Sequence, residues 1–322
     1  MPYRHLLVVL LLACVVTSAH AAECKLVRAT SIDLADTEPE AVTFDITIQG
    51  KPYPFALNLE SFVSMMGSDA AAKFTNARMP VHNLSLGDTR MTRAAVLPEI
   101  QLGGLTGHDE AFMLIPDNWL SGHDHGVIGE VGLDKLQGYD VELDLAHDKL
   151  NLFQKDHCKG QVIYWTGTAA IVPFEMQLDG QIMIPTELDG VPIKVNLDTT
   201  RLTSQMTFAT AHRLLGVRHA DLELISGADD HHPDKYRYHF KTLAVGGLTI
   251  NNPEIVISDY GAAETICDGH LHSDVYGPYH SARTYRCSGT ADMQIGLKQL
   301  RQLRLFIAFS EKTLYITPAD AH

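Results

Sequence analysis

Basic residues are scarce in this chain: 25 Lys and Arg stand against 39 Asp and Glu, a formal charge of −14 over 322 residues. A surface of that sign repels nucleic acid and anionic lipid, so neither is expected as a partner. Long apolar runs are also missing. Beyond the first 22 residues no stretch is apolar enough to span a bilayer, and no integral membrane segment is expected in the mature chain. Cysteine is limited to 5 residues, none at zinc-finger spacing. The paired histidines (His123 and His125, His231 and His232, His270 and His272) lie in polar, loop-like stretches, so no metal or other cofactor is expected. What is present is an ordinary globular composition, 45% apolar and 20% charged, in a length that suits two domains.

The N-terminus has the pattern of a secretory signal. Arg4 and His5 precede an apolar run over 6–16, and Ala19-His20-Ala21 offers a small-x-small cleavage site. Residues 1–21 are therefore expected to be removed and the protein to be periplasmic or secreted. A lipoprotein box ending at Cys14 is the rival reading, weakened because the apolar run continues through Val15 and Val16. Removal of the signal leaves Cys24, Cys158, Cys267 and Cys287. An even count in an exported chain suggests disulfides. Of the possible pairings, proximity favours Cys267 with Cys287, leaving Cys24 for Cys158.

The chain repeats itself. Residues 50–60 (Gly-Lys-Pro-Tyr-Pro-Phe-Ala-Leu-Asn-Leu-Glu) match 190–200 (Gly-Val-Pro-Ile-Lys-Val-Asn-Leu-Asp-Thr-Thr) without a gap. Residues 102–106 match 245–249, each placing a Gly-Gly pair, a hairpin signal, before an apolar strand. Residues 132–152 match 296–316, each a helical turn leading into a period-two hairpin: Val141, Leu143, Leu145, Leu150 and Leu152 against Leu305, Ile307, Phe309, Leu314 and Ile316. Helix is sparse. The best candidate runs over 207–215 with Gly216 closing it, and Ser68 is the expected cap of its counterpart. The predicted fold is mostly β, with lobes over 22–158 and 159–322, joined near 155–170.

A strand ending in Leu-Asp-Thr (197–199), a Gly-Gly hairpin, an apolar-apolar-Gly step read at 127–129, whose second-lobe counterpart departs from it as Gln294-Ile295-Gly296, and a final strand pair resemble the aspartic peptidases of the pepsin and retropepsin superfamily. The likeness is nearest to two-lobed exported bacterial retropepsin-like proteins, and the 156–165 joint is similar to their inter-lobe segment. It covers about residues 40–318. It implies two pseudo-symmetric pepsin/retropepsin-like β-barrel lobes with short helices, a peptide-binding cleft between them, and a pair of aspartates, one per lobe, that share a proton and hold a water.

Against that pattern, Asp198 and Thr199 keep the acid and the hydroxyl in the second lobe, and Thr200 stands where Gly is usual. In the first lobe Asn58, Leu59 and Glu60 keep none of the three residue types. An amide does not titrate, so Asn58 is no general base, and the dyad reads as degenerate. Glu60 and Thr200 are expected to crowd the approach of the two turns, with the Glu60 side chain directed to solvent. Tyr236 and Tyr238, in the segment matching a flap, are candidate substrate contacts. The 259–287 stretch is an insertion of unreadable purpose. The reading that follows is a monomeric, catalytically impaired peptidase-like protein holding an extended peptide or a protein partner in its cleft. Its alternatives are an active aspartic endopeptidase pairing Asp198 with an unconventional group such as Glu60, and an envelope assembly module.

Overall fold

The three recurrent stretches of sequence fold into the same three pieces of backbone. The computed structural model describes residues 25–35, 41–86, 89–120, 126–177, 180–227, 234–258 and 291–320. The expected signal, the paired histidines, the 259–287 insertion, Cys24, Cys267 and Cys287 lie outside the described residues. Cys158 is disulfide-bonded. Among the described residues no helix is long and apolar enough to cross a membrane.

The first lobe contains β1 (Arg28–Asp33), β2 (Thr43–Ile48), β3 (Lys51–Leu57), β4 (Met65–Gly67), α1 (Ser68–Ala72) and β5 (Arg78–Leu86). It continues with β6 (Thr89–Leu102), β7 (Leu105–Ile115), β8 (Gly129–Val131), α2 (Leu133–Leu136), β9 (Asp140–Asp144) and β10 (Lys149–Phe153). After the joint come β11 (Ala170–Pro173), β12 (Glu175–Met176), β13 (Ile182–Leu188), β14 (Val191–Leu197), β15 (Ser204–Thr207) and α3 (Phe208–Leu215). The second lobe closes with β16 (Glu223–Ser226), β17 (Lys235–His239), β18 (Thr242–Val245), β19 (Leu248–Asn251), β20 (Glu254–Ser258), β21 (Met293–Ile295), α4 (Leu297–Leu300), β22 (Leu303–Ala308) and β23 (Thr313–Pro318). The fold is mostly β with few short helices.

Both lobes thread their strands alike. β3 runs parallel to β8 and β4 parallel to β7, while β4 meets β8 antiparallel. In the second lobe β14 runs parallel to β21 and β15 parallel to β20, while β15 meets β21 antiparallel. A further pairing of β2 with β6 closes the first-lobe sheet into a barrel of six strands, leaving β5 outside the ring. The Gly-Gly pairs make their hairpins, with Gly103 and Gly246 at positive φ of 56° and 58°, where a side chain is strained.

The register corrects one sequence reading. Gly129 lies opposite Phe55 and Met293 opposite Val195, so Glu130 corresponds to Gln294 and Gly132 to Gly296. The apolar-apolar-Gly step expected at 127–129 is therefore taken at 130–132, because that is where the parallel pairing brings a glycine against the neighbouring turn. A Cβ at Gly132 would sit 2.7 Å from the Val63 backbone carbon, and one at Gly296 would sit 2.5 Å from that of Thr203. The two glycine N–H groups donate to Ser64 and Ser204 Oγ, each at 2.9 Å.

α3 starts at an N-cap Thr207, whose Oγ1 accepts from Thr210 N at 3.2 Å, and ends at left-handed Gly216. The cap expected at Ser68 does not form. The N-cap of α1 is Gly67, and Ser68 Oγ donates instead to the Ile115 carbonyl at 3.0 Å.

One sheet belongs to both lobes. Its order, β1-β10-β9-β22-β23-β11, alternates pieces from the two ends of the chain. At the seam, Arg304 of β22 donates to Glu142 of β9 at 2.6 and 2.8 Å and pairs with Asp144 at 3.1 Å, with all three buried. The joint is tied down beside it: Trp165 Nε1 donates to Thr317 at 3.0 Å, and Tyr164 OH donates to Glu142 at 2.7 Å. His157 Nε2 lies 2.5 Å from Asp140 of the first lobe, and its Nδ1 lies 3.8 Å from Glu311 of the second. A single hydrophobic cluster, including Phe44, Leu57 and Leu133 as well as Leu197, Ile255 and Leu297, runs through both lobes.

Candidate functional site

Two turns, 58–60 and 198–200, meet where the lobes face each other. Each follows a strand whose last residues are buried (Phe55, Ala56 and Leu57; Val195, Asn196 and Leu197), so packing fixes where the turn begins. Equivalent backbone bonds hold them, from Asn58 N to Val131 O and from Asp198 N to Ile295 O, both at 2.9 Å.

Thr199 joins the turns. Its Oγ1 donates to the Leu57 carbonyl at 2.6 Å and accepts from Leu59 N at 3.2 Å, while its own carbonyl accepts from Val42 N at 3.0 Å. Leu59 is fully buried but has no hydroxyl to return the exchange, so the cross-lobe grip is one-sided.

Asp198 is fully buried. Its Oδ1 accepts from Thr200 N at 2.9 Å and Thr200 Oγ1 at 2.8 Å. Its Oδ2 accepts no hydrogen bond and lies 3.2 Å from Arg201 Nε, an ion pair. Thr200 therefore supports the acid rather than crowding it, and neither Glu60 nor Thr200 adopts a positive φ. The turns accept side chains at these positions because the backbone there is right-handed or extended.

Glu60 departs furthest from expectation. Its carboxylate does not turn to solvent but crosses into the second lobe, where Oε1 accepts from Asn196 Nδ2 at 2.5 Å and Gln294 Nε2 at 3.0 Å. The reason is the pair of amides that β14 and β21 set side by side in parallel register, Asn196 opposite Gln294. Burial first, and then the charge of Asp198, push the Glu60 carboxyl up to about 8, against the pull of Arg201 and the two amides. Glu60 is thus largely protonated at neutral pH.

Asn58 is held within its own lobe. Its Oδ1 accepts from Glu60 N at 3.0 Å, and its Nδ2 donates to Glu130 Oε2 at 2.6 Å. Glu130, Asn196 and Arg201 are the site members that the motifs did not single out, and Gln294 was read only as a departure from the glycine step. Glu130 and Gln294 carry a signal nonetheless, being polar residues at the centres of three-residue strands of otherwise apolar or glycine character.

No protein-family model and no curated protein sequence matches the chain. Among solved structures it is similar to basic 7S globulin from soybean, at 9% identity over 93% of this chain and 99% of that one, with a TM-score of 0.49. It is also similar to a retropepsin-like aspartic protease from Rickettsia conorii, at 13% identity over 48% of this chain and 94% of that one, with a TM-score of 0.30. Both likenesses are distant.

The remaining candidates, Tyr236 and Tyr238, lie on β17. Tyr236 packs edge-on against His219 at 5.6 Å, and Tyr238 against Phe240 at 4.6 Å. Both also pack on the main hydrophobic cluster.

Proposed function

We propose that this is a peptidase-like binding protein, with an inter-lobe cleft that receives an extended peptide or a protein segment without hydrolysing it through a paired-aspartate mechanism. The observation that carries this reading is Asn58, an amide engaged at both ends by Glu60 N and Glu130. Hydrolysis of the familiar kind needs two carboxyls sharing a proton around a water. At the equivalent turn positions here, one partner cannot titrate and the other is buried against Arg201. Peptide capture by backbone hydrogen bonds requires neither.

A second reading has its own observation. Glu60, protonated near neutrality beside Asp198, supplies an acid and a carboxylate with separated roles, the division of labour that acid catalysis uses.

The mature protein incubated with denatured casein and a random peptide library from about pH 3 to 7, with and without pepstatin, separates the two. Peptide retention without cleavage is the expected result. Cleavage that disappears in both Asp198→Asn and Glu60→Gln would establish the second reading instead.

A further inference from the structure

The two lobes have exchanged acid and amide. In the second lobe the turn carries the acid, Asp198, and the neighbouring parallel strand carries the amide, Gln294. In the first lobe the turn carries the amide, Asn58, and the strand carries the acid, Glu130, with 130 and 294 equivalent by register. The exchange fixes the direction of one hydrogen bond. A backbone N–H only donates, so the Glu60 N–H takes the oxygen end of the Asn58 amide. The nitrogen end then meets Glu130 Oε2 at 2.6 Å, where a carboxylate oxygen accepts. That bond uses one of the two Nδ2 hydrogens, and no acceptor among the described residues takes the other.

Asn58 is partly exposed, whereas Asp198 across the seam is fully buried. Asn58 therefore offers a hydrogen-bond donor, at a position where an aspartate would be an acceptor. Acidic groups lie beside this turn: Glu130 Oε2 accepts from Asn58 Nδ2, and the Glu60 carboxyl feels the charge of Asp198. Such surroundings disfavour an anionic ligand and favour a neutral acceptor.

We infer that Glu130 is a positioning residue which holds the Asn58 amide with its free N–H toward the cleft, and that this N–H receives a main-chain carbonyl oxygen of an uncharged extended peptide. The inference rests on the peptide-binding reading above. Glu130→Gln keeps an acceptor oxygen for Asn58, whereas Glu130→Leu removes it and Asn58→Leu removes the donor without adding charge.

The test uses the mature protein, the ¹⁵N side-chain resonance of Asn58 (assigned by its loss in Asn58→Leu), and retention of an uncharged peptide library on the immobilised protein. Glu130→Gln should leave the resonance near its wild-type position and retention within about threefold, while Glu130→Leu should move the resonance and weaken retention about tenfold or more, as should Asn58→Leu for retention. If Glu130→Leu does not fold, the contrast between Glu130→Gln and Asn58→Leu carries the same test. Wild-type retention that Asn58→Leu or a folded Glu130→Leu leaves unchanged would overturn this inference alone. A wild-type protein that retains no peptide would overturn the binding reading, and carbonyl recognition with it.

Discussion

Glu60 of the first lobe and Asn196 of the second share a 2.5 Å hydrogen bond across the junction, from a turn position where glycine was the expectation. The third position of the turn has become a cross-brace, and it is a titrating one.

The sign of its effect follows from linkage. The folded carboxyl sits at about 8 and the ordinary value is 4.5, so between these the native state holds a proton that the unfolded chain has lost. The stabilising contribution is complete below pH 4.5 and is lost as pH rises through about 8. The limiting slope for one proton is ~1.4 kcal/mol per pH unit. His157 works in the same direction. Burial alone would lower it, but the Asp140 hydrogen bond, the Cys158 carbonyl and the charges of Asp140 and Glu311 raise it above 6.5. Urea melts at pH 5, 7 and 9 should show stability falling with pH. Glu60→Gln keeps an acceptor for both amides, and should flatten the curve and stabilise the protein at pH 9; an unchanged pH dependence would contradict the assignment.

Thr199 is the single hydroxyl joining the turns. Thr199→Val leaves the buried Leu57 carbonyl and Leu59 N–H without their partner and should cost about 1–3 kcal/mol. Thr199→Ser should recover most of it in the same melts.

Asn58→Asp alone should not create a hydrolase. The new carboxylate would stand against Glu130 Oε2, which now accepts at 2.6 Å, and the two oxygens would hold one proton between them in place of a shared proton with Asp198. Adding Glu130→Gln reproduces the acid and amide arrangement of the second lobe. Pepstatin binding followed by calorimetry should appear in the double variant and not in Asn58→Asp alone.

Arg304→Met takes from buried Glu142 and Asp144 the guanidinium they share, leaving them Asn151, Tyr164 and His147, and should destabilise by about 3–5 kcal/mol. Combining it with Glu142→Leu and Asp144→Leu should restore much of the loss, since a packed apolar seam substitutes for a buried ion pair.

The scaffold was legible because its signals are local and occur twice. Period-two alternation placed β9, β10, β22 and β23, and the glycine pairs placed their hairpins. Positions 58 and 198 could be matched by gapless alignment alone. Glu60 could not be oriented from its own neighbourhood, because its partners Asn196 and Gln294 lie 136 and 234 residues away. Glu130 was missed because the step was read three residues early, at Ile128-Gly129, although the match of 132–152 with 296–316 already equates Gly132 with Gly296, as the strand pairing does. The Ser68 cap failed for the same reason as the Glu60 orientation. A carbonyl at Ile115, far along the chain, competes for its hydroxyl.

The interleaved sheet also imposes a timetable on synthesis. β9 and β10 can pair as a hairpin as soon as they emerge, but the other side of β9 waits for β22, and β11 waits for β23. Until residues 303–318 have been made, the first lobe carries an open sheet edge bearing Glu142 and Asp144 without their arginine. The growing chain therefore cannot commit to its final form one lobe at a time, and its last strands act as the latch.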